Sequence, residues 1–226
     1  MELYAALENK ARSLGADLFG VADLSPYRDT LYSRYGEPVA AFPRAVCMAV
    51  LLPRRVTDEL IDHPTHAYLR YYDAANSLLD QIALVTANQL SRAGFDSLPI
   101  PASQRSGQKD GGAFSHRLAA AAAGLGWIGK SCNLISPEAG PRLRLVTVLT
   151  DAPLPCGQAI AARCGDCQKC RDACPAKAIL GQPFRAEDAL SVRFDFDRCD
   201  EYLSETRQVF GKRICGRCIA ACPHGK

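Results

Sequence analysis

Eight of the eleven cysteines fall in the last quarter of the 226-residue chain, and their spacing carries chemistry. Cys164-Gly-Asp-Cys167-Gln-Lys-Cys170-Arg-Asp-Ala-Cys174-Pro175 is followed by Cys199 and then by Cys215-Gly-Arg-Cys218-Ile-Ala-Ala-Cys222-Pro223. Three thiolates spaced two residues apart can line one face of a cubane, because a tight loop turns each sulfur inward. The fourth cysteine of such a run, followed by Pro, reaches a second cluster. The pattern predicts two [4Fe–4S] clusters. One takes Cys164, Cys167, Cys170 and Cys222, and the other takes Cys199, Cys215, Cys218 and Cys174. Two four-thiolate zinc sites would also use eight cysteines, but they pair CxxC knuckles and have no use for a third cysteine at the same spacing. No signal peptide is visible, and an intracellular chain keeps its thiols reduced, so disulfides fit poorly. The chemistry is low-potential electron transfer.

A second stretch matches two phosphate-binding patterns at once. Gly124-Leu-Gly126-Trp127-Ile128-Gly129-Lys130-Ser131 fits both G-x-G-x-x-G and G-x4-G-K-S. Both motifs need a strand before the loop and a helix after it, because the helix N-terminus supplies the N–H groups that hold phosphate. Here the Ala-rich run from His116 precedes the loop and reads as helix, while the residues after it read as strand. Nucleotide binding is rejected, and a helix C-cap followed by a tight turn is the plainer reading. The glycine density still implies a close backbone approach, with a planar ligand as one candidate.

The elements that must position these stretches read as mixed α and β. Leu3, Ala6, Leu7, Ala11 and Leu14 recur at helical spacing, and Gly15 ends that helix. Leu18 to Leu24 reads as a short strand. Ala45 to Leu52 is a continuous apolar run, as a strand buried on both faces requires, with Cys47 an inert thiol inside it. A long helix is expected from His66 to Ala93, with Tyr68, Tyr71 and Tyr72 clustered at its start. Gln104 to Gly112 is polar and Gly-rich and reads as a loop or lid. Ser131 to Ile135 reads as a strand. Arg142 to Thr150 alternates Leu143, Leu145, Thr147 and Leu149 with the other face, which places Arg142 and Arg144 towards solvent. Asp151-Ala-Pro-Leu-Pro155 then interrupts regular structure. Two domains are expected, at residues 1–157 and 158–226. The second has few large apolar side chains, so its clusters must hold it together.

Composition is that of an ordinary folded chain, 48% hydrophobic and 23% charged with a net charge of +3. The Arg and Lys residues are scattered rather than gathered in a stripe, so nothing demands nucleic acid. No apolar run reaches the roughly 20 residues of a membrane span. The expected location is cytoplasmic, with no membrane partner.

The series of Ala-rich helix, Gly124-Leu-Gly-Trp-Ile-Gly-Lys130, Pro137-Glu-Ala-Gly140, Thr150-Asp-Ala-Pro-Leu154 and the two cubane motifs resembles the epoxyqueuosine reductase family, which is related to the corrinoid-dependent reductive dehalogenases. The resemblance implies a nitroreductase-like α+β domain that binds cobalamin, followed by a ferredoxin-like module with two [4Fe–4S] clusters. It implies that Gly124, Gly126, Trp127, Ile128, Gly129, Lys130 and Ser131 pack against the corrin, and that electrons pass from the clusters to its cobalt. Asp62-His63-Pro-Thr-His lacks the glycine of the D-x-H-x-x-G signature of proteins that ligate cobalt by His. The corrinoid is expected base-off. Asp96 lies near the place of that family's catalytic Asp, and Asp96, His116 or Tyr72 would supply a proton. The chain ends at Lys226, without the family's C-terminal tRNA-holding extension. The expected partners are therefore cobalamin or another corrinoid, a reduced ferredoxin- or flavodoxin-type donor and a corrinoid protein, with tRNA disfavoured. The alternatives are a tRNA-modifying reductase and a carrier that does no chemistry. Cys156 reads as a spare thiol, and Cys132 adjoins the glycine loop.

Overall fold

The computed structural model describes residues 2–103 and 112–225. The expected lid over residues 104–112 lies outside the described residues except for Gly112. Packing divides the chain into two units. The first comprises Met1–Val50, Ala75–Gly126 and Arg144–Ile160; the second comprises Leu51–Ala74, Trp127–Leu143 and Ala161–Lys226.

In chain order the strands and α-helices are α1 (Glu2–Ser13), β1 (Leu18–Asp23), α2 (Arg28–Tyr35), α3 (Glu37–Ala40), β2 (Arg44–Leu51), α4 (Arg54–Asp58), α5 (His66–Arg92), β3 (Ser97–Ile100), α6 (His116–Ala122), β4 (Trp127–Ile128), β5 (Leu134–Ile135), β6 (Leu143–Thr150), α7 (Lys169–Asp172), α8 (Phe196–Phe210) and α9 (Arg217–Ala220).

The first unit is built on a four-stranded sheet in the order β1-β2-β6-β3. β1 pairs antiparallel with β2 from Leu18↔Ala49 to Asp23↔Arg44, and β3 pairs antiparallel with β6 from Ser97↔Thr150 to Ile100↔Thr147. Ala45 to Ala49 of β2 are fully buried, as the unbroken apolar run predicts for a central strand. Leu7 and Ala11 of α1, Phe19 and Val21 of β1, Val46 and Met48 of β2, Leu79, Ile82 and Leu90 of α5, and Val146 and Val148 of β6 form one apolar cluster. These residues bring helical period and strand period to the same core, which is why the unit closes without polar help.

β6 departs from the alternation expected of it. Seven of its eight residues are buried and only Arg144 is partly exposed, because β6 is an inner strand of the sheet rather than a half-solvated one. Arg142, expected on a solvated face, is 2% exposed.

The second unit carries little regular structure. β4 and β5 form a two-rung hairpin, with Trp127 opposite Ile135 and Ile128 opposite Leu134. Ser131, expected to start a strand, lies in the hairpin turn instead, where Cys132 adopts a positive φ of 58° and its N–H donates to Gly129 O at 2.9 Å. No helix follows the glycine loop, so both phosphate motifs lack the element that would make them work. α8 is the long element of this unit. Its N-cap Asp195 accepts from Arg198 N at 3.1 Å, and Gly211 closes it in the left-handed region. Among the described residues, no helix is long and apolar enough to cross a membrane.

Candidate iron–sulfur site

The eight cysteines of the spacing pattern all lie in the second unit, and the structure brings them together in two groups of four. Burial pushes the Cys170 thiol up to about 11, and the neighbouring thiols that add to this are Cys222, Cys164 and Cys167. Cys222 is likewise raised by burial, then by Cys164 and Cys167, against the His224 N–H and the Arg142 charge, which lower it. In the other set, burial and then Cys215 push Cys218 up to about 12, with Cys174 and Cys199 adding to the rise. Cys215 is raised by burial and by Cys174. In every case the thiols that press on one another belong to the same set. Among the described residues, no three His, Cys, Asp or Glu side chains gather tightly enough to hold a single metal ion. A cubane places its four thiolates on four different irons, so its ligands are not gathered about one point.

Two further observations fit a group of that kind. Thiols raised this far are neutral by themselves, and they ionise only against a metal, which is how cluster assembly couples to proton release. The second observation is charge. Among the described residues, three charged side chains are less than a tenth exposed, and all three are cations of this unit: Lys130, Arg142 and Arg193. Burying a cation away from water is costly unless an anion accompanies it. A [4Fe–4S] core with four thiolates is such an anion. The residues present therefore fit two [4Fe–4S] clusters.

The sulfurs also receive hydrogen bonds. Asn133 Nδ2 donates to Cys218 Sγ at 3.4 Å, and Ala178 N donates to Cys174 Sγ at 3.3 Å. Lys130 Nζ donates to Gly165 O at 2.7 Å and to Cys167 O at 3.3 Å, which ties the first cysteine loop to the β4–β5 hairpin. Such donors stabilise negative charge on sulfur and so tune a cluster's potential. The buried indole N–H of Trp127 has no protein partner, and the ring meets His224 edge-on with centroids 5.1 Å apart.

The remaining candidates are placed as follows. Within the glycine stretch, Gly126 and Trp127 to Ser131 are buried, and Gly124 is partly exposed. A Cβ at Gly124 (φ 79°) would meet Gln158 O at 2.6 Å, and one at Gly129 would meet Ile135 Cγ1 at 2.7 Å. The close approach that the glycines imply is thus made to protein at those two positions. His116, at the start of α6, lies against Thr147 Oγ1 (2.8 Å from Nδ1) and Pro101 O (3.2 Å from Nε2). A carbonyl only accepts, so Nε2 carries the hydrogen and Nδ1 accepts from Thr147. Burial holds the imidazole neutral, with its pKa lowered to about 4. Asp96 is exposed at the other end of the β3–β6 pairing. Its amide donates to Asp151 Oδ1 at 2.8 Å, and its carbonyl accepts from Thr150 Oγ1 at 2.8 Å. Tyr72 belongs to the second unit, with its ring 6.1 Å from that of Tyr68 and the Lys212 amine over its face at 5.2 Å. Cys47 is fully buried and pushed far up by that burial. Cys156 is partly buried near Arg44, and Cys132 Sγ lies 3.9 Å from Arg193 Nη1.

Residues 163–225 match the family model of the 4Fe-4S double cluster binding domain. An epoxyqueuosine reductase of Bacillus anthracis is 34% identical over 127 residues, which are 52% of this chain and 31% of that protein. Over that stretch the chain is similar to epoxyqueuosine reductases. The match spans about a third of that relative's length. Among solved structures, a reductive dehalogenase described for B12-dependent dehalogenation superposes with a TM-score of 0.75 at 23% identity, over 98% of this chain and 31% of that one. An epoxyqueuosine reductase with a tRNA-Tyr epoxyqueuosine-modified stem loop gives 0.61 at 22% identity, over 99% and 65%. These likenesses show a shared mixed helix-and-sheet fold. They give no support to the expectation that tRNA is disfavoured, since one of these proteins holds a tRNA stem loop.

Proposed function

We propose that the chain is a cobalamin-dependent iron–sulfur oxidoreductase in which two [4Fe–4S] clusters deliver low-potential electrons to a base-off corrinoid. The observation that carries this reading is the sorting of eight cysteines into two sets of four, together with buried cations and, among the described residues, no buried carboxylate. Residues 1–157 then form a nitroreductase-like corrinoid-binding domain and residues 158–226 the cluster domain. When bound, the clusters supply one-electron transfer and the corrinoid supplies the reactive metal. The chain's own residues bind, orient and exclude water. In this reading the Gly124–Ser131 stretch borders the corrinoid and holds the first cysteine loop through Lys130. His116, neutral and bonded at both nitrogens, holds β6 at Thr147. Asp96, with an exposed carboxylate on a pinned backbone, is the better placed of the first unit's two candidates to hand on a proton. A reduced ferredoxin or flavodoxin is the fitting electron donor.

A second reading, tRNA modification, is favoured by the epoxyqueuosine reductase similarity. Anaerobic reconstitution with iron and sulfide tests the first reading. About eight irons per chain are expected, with a shift of the corrin visible band towards the base-off form on adding cobalamin. Zinc in place of iron, or an unmoved corrin band, would sink it. Binding of a tRNA stem loop that weakens steeply with salt would favour the second reading.

A further inference from the structure

The first set takes three of its cysteines from one short run and the fourth, Cys222, from 52 residues further along the chain. Something must hold that distant ligand, and the backbone around it is crossed closely by another segment. A Cβ at Gly140 would stand 2.0 Å from His224 O, and a Cβ at Gly225 would stand 2.1 Å from the Ala139 carbonyl carbon. The turn at 136–140, closed by the Ser136↔Gly140 bridge, therefore lies directly on the segment that follows Cys222.

Arg142 follows this turn and is 2% exposed. Its Nη1 donates to His224 O at 3.0 Å, and its Nη2 lies 3.5 Å from Asp58 Oδ1. Asp58 is itself 37% exposed and shared with Arg54, so it compensates the buried guanidinium only in part. The Nε of Arg142 is buried without a protein partner. His224 lies two residues beyond Cys222, so the guanidinium stands against the ligand's own segment.

We propose that Arg142 is a positioning residue for the cluster of Cys164, Cys167, Cys170 and Cys222: it seats Cys222 through His224, and its buried charge raises that cluster's reduction potential. The inference rests on the iron–sulfur reading above. Reduction adds one electron, hence one negative charge, to the cluster. A cation fixed nearby in a site of low dielectric stabilises the reduced form more than the oxidised form. Removing the cation must lower the potential of this cluster and leave the other unmoved.

The test is an EPR-monitored redox titration of the reconstituted full chain, with iron counted in each sample. A Cys222→Ser chain identifies which reduction step belongs to the first set. In Arg142→Gln that same step is expected to move to lower potential, with at least a tenfold fall in the reduced-to-oxidised ratio at fixed potential, about 59 mV for one electron. The other step stays in place. If Arg142→Gln assembles only one cluster, the missing one must be the first set's. Arg142→Lys keeps the charge without the fork, so it should restore the iron count and reverse most of the shift. Two unmoved steps with a full complement of iron, or equal shifts of both, overturn the proposal while leaving the iron–sulfur reading intact. A wild-type chain that assembles no cubane overturns both.

Discussion

The two units solve the problem of burial in opposite ways. In the first, the buried residues are apolar or neutral, and Leu79, Ile82, Leu90, Val46 and Val148 meet in one cluster. In the second, thiols and cations share the interior with a smaller apolar set that includes Ile179, Ile214 and Ile219. The difference teaches where each unit's stability comes from. Apolar burial stabilises in proportion to the area removed from water, at about 25 cal/mol per Å², and needs no ligand. Buried Lys130, Arg142 and Arg193 cost free energy until an anion joins them. The first unit is expected to stand by itself, and the second to stand on what its cysteines bind.

Withdrawing iron gives the largest effect and attacks the comparison directly. Chelation under reducing, anaerobic conditions should abolish hydrogen-exchange protection at Ile214 and Ile219 and leave the amides of β2 protected. Loss of protection in both units at the same rate would break the distinction.

A core truncation in the first unit sharpens it from the other side. Leu79 is fully buried among apolar neighbours, so Leu79→Ala should cost about 2–5 kcal/mol by denaturant unfolding followed at first-unit amides. The reconstituted variant should still hold about eight irons. A variant that loses its iron along with its core would show that the two sources of stability are not separate.

What could be read in the sequence follows the same line. The grouping of the cysteines was legible because a cubane's geometry is written in spacings of two and three residues, and even the place of Cys222 beside the first run follows from its position in the repeated motif. β2 was legible because five consecutive buried residues leave an unbroken apolar run. The residues that meet the cysteine segments from outside the motifs were not legible. Asn133 meets Cys218 across 85 residues, and Arg142 meets His224 across 82. Arg142 also stands just before β6, where the strand's alternation points it outward by pattern alone, and only its distant partners explain why it is buried. The β4–β5 hairpin was hidden for a related reason. Each strand is two residues long, too short for a period, and Cys132 in the turn takes a left-handed conformation that its residue type does not announce.

His116 offers the smallest effect, and it tests whether the first unit's interior is as free of charge as the comparison requires. Burial is the main cause of its low pKa of about 4, the Pro101 carbonyl opposes the shift, and the Arg144 and Arg117 charges reinforce it. An unfolded histidine titrates near 6.5. Above that value both states are neutral and the residue contributes nothing to pH dependence. Between about 6.5 and 4 the unfolded chain binds the proton and the folded chain does not, so stability must fall as pH is lowered through that window. The full shift is worth roughly 3 kcal/mol, and partial solvent access to the ring lowers the expected loss to about 2 kcal/mol. Hydrogen exchange at Val146 and Val148, measured from pH 7 to 5, should show the decline in the wild type. In His116→Gln the stability of this unit is lower at pH 7, because the bond to Thr147 is disturbed, but its slope across the window is flatter. An identical slope in both chains would mean that the imidazole takes up its proton inside the folded unit, and that this interior tolerates a charge after all.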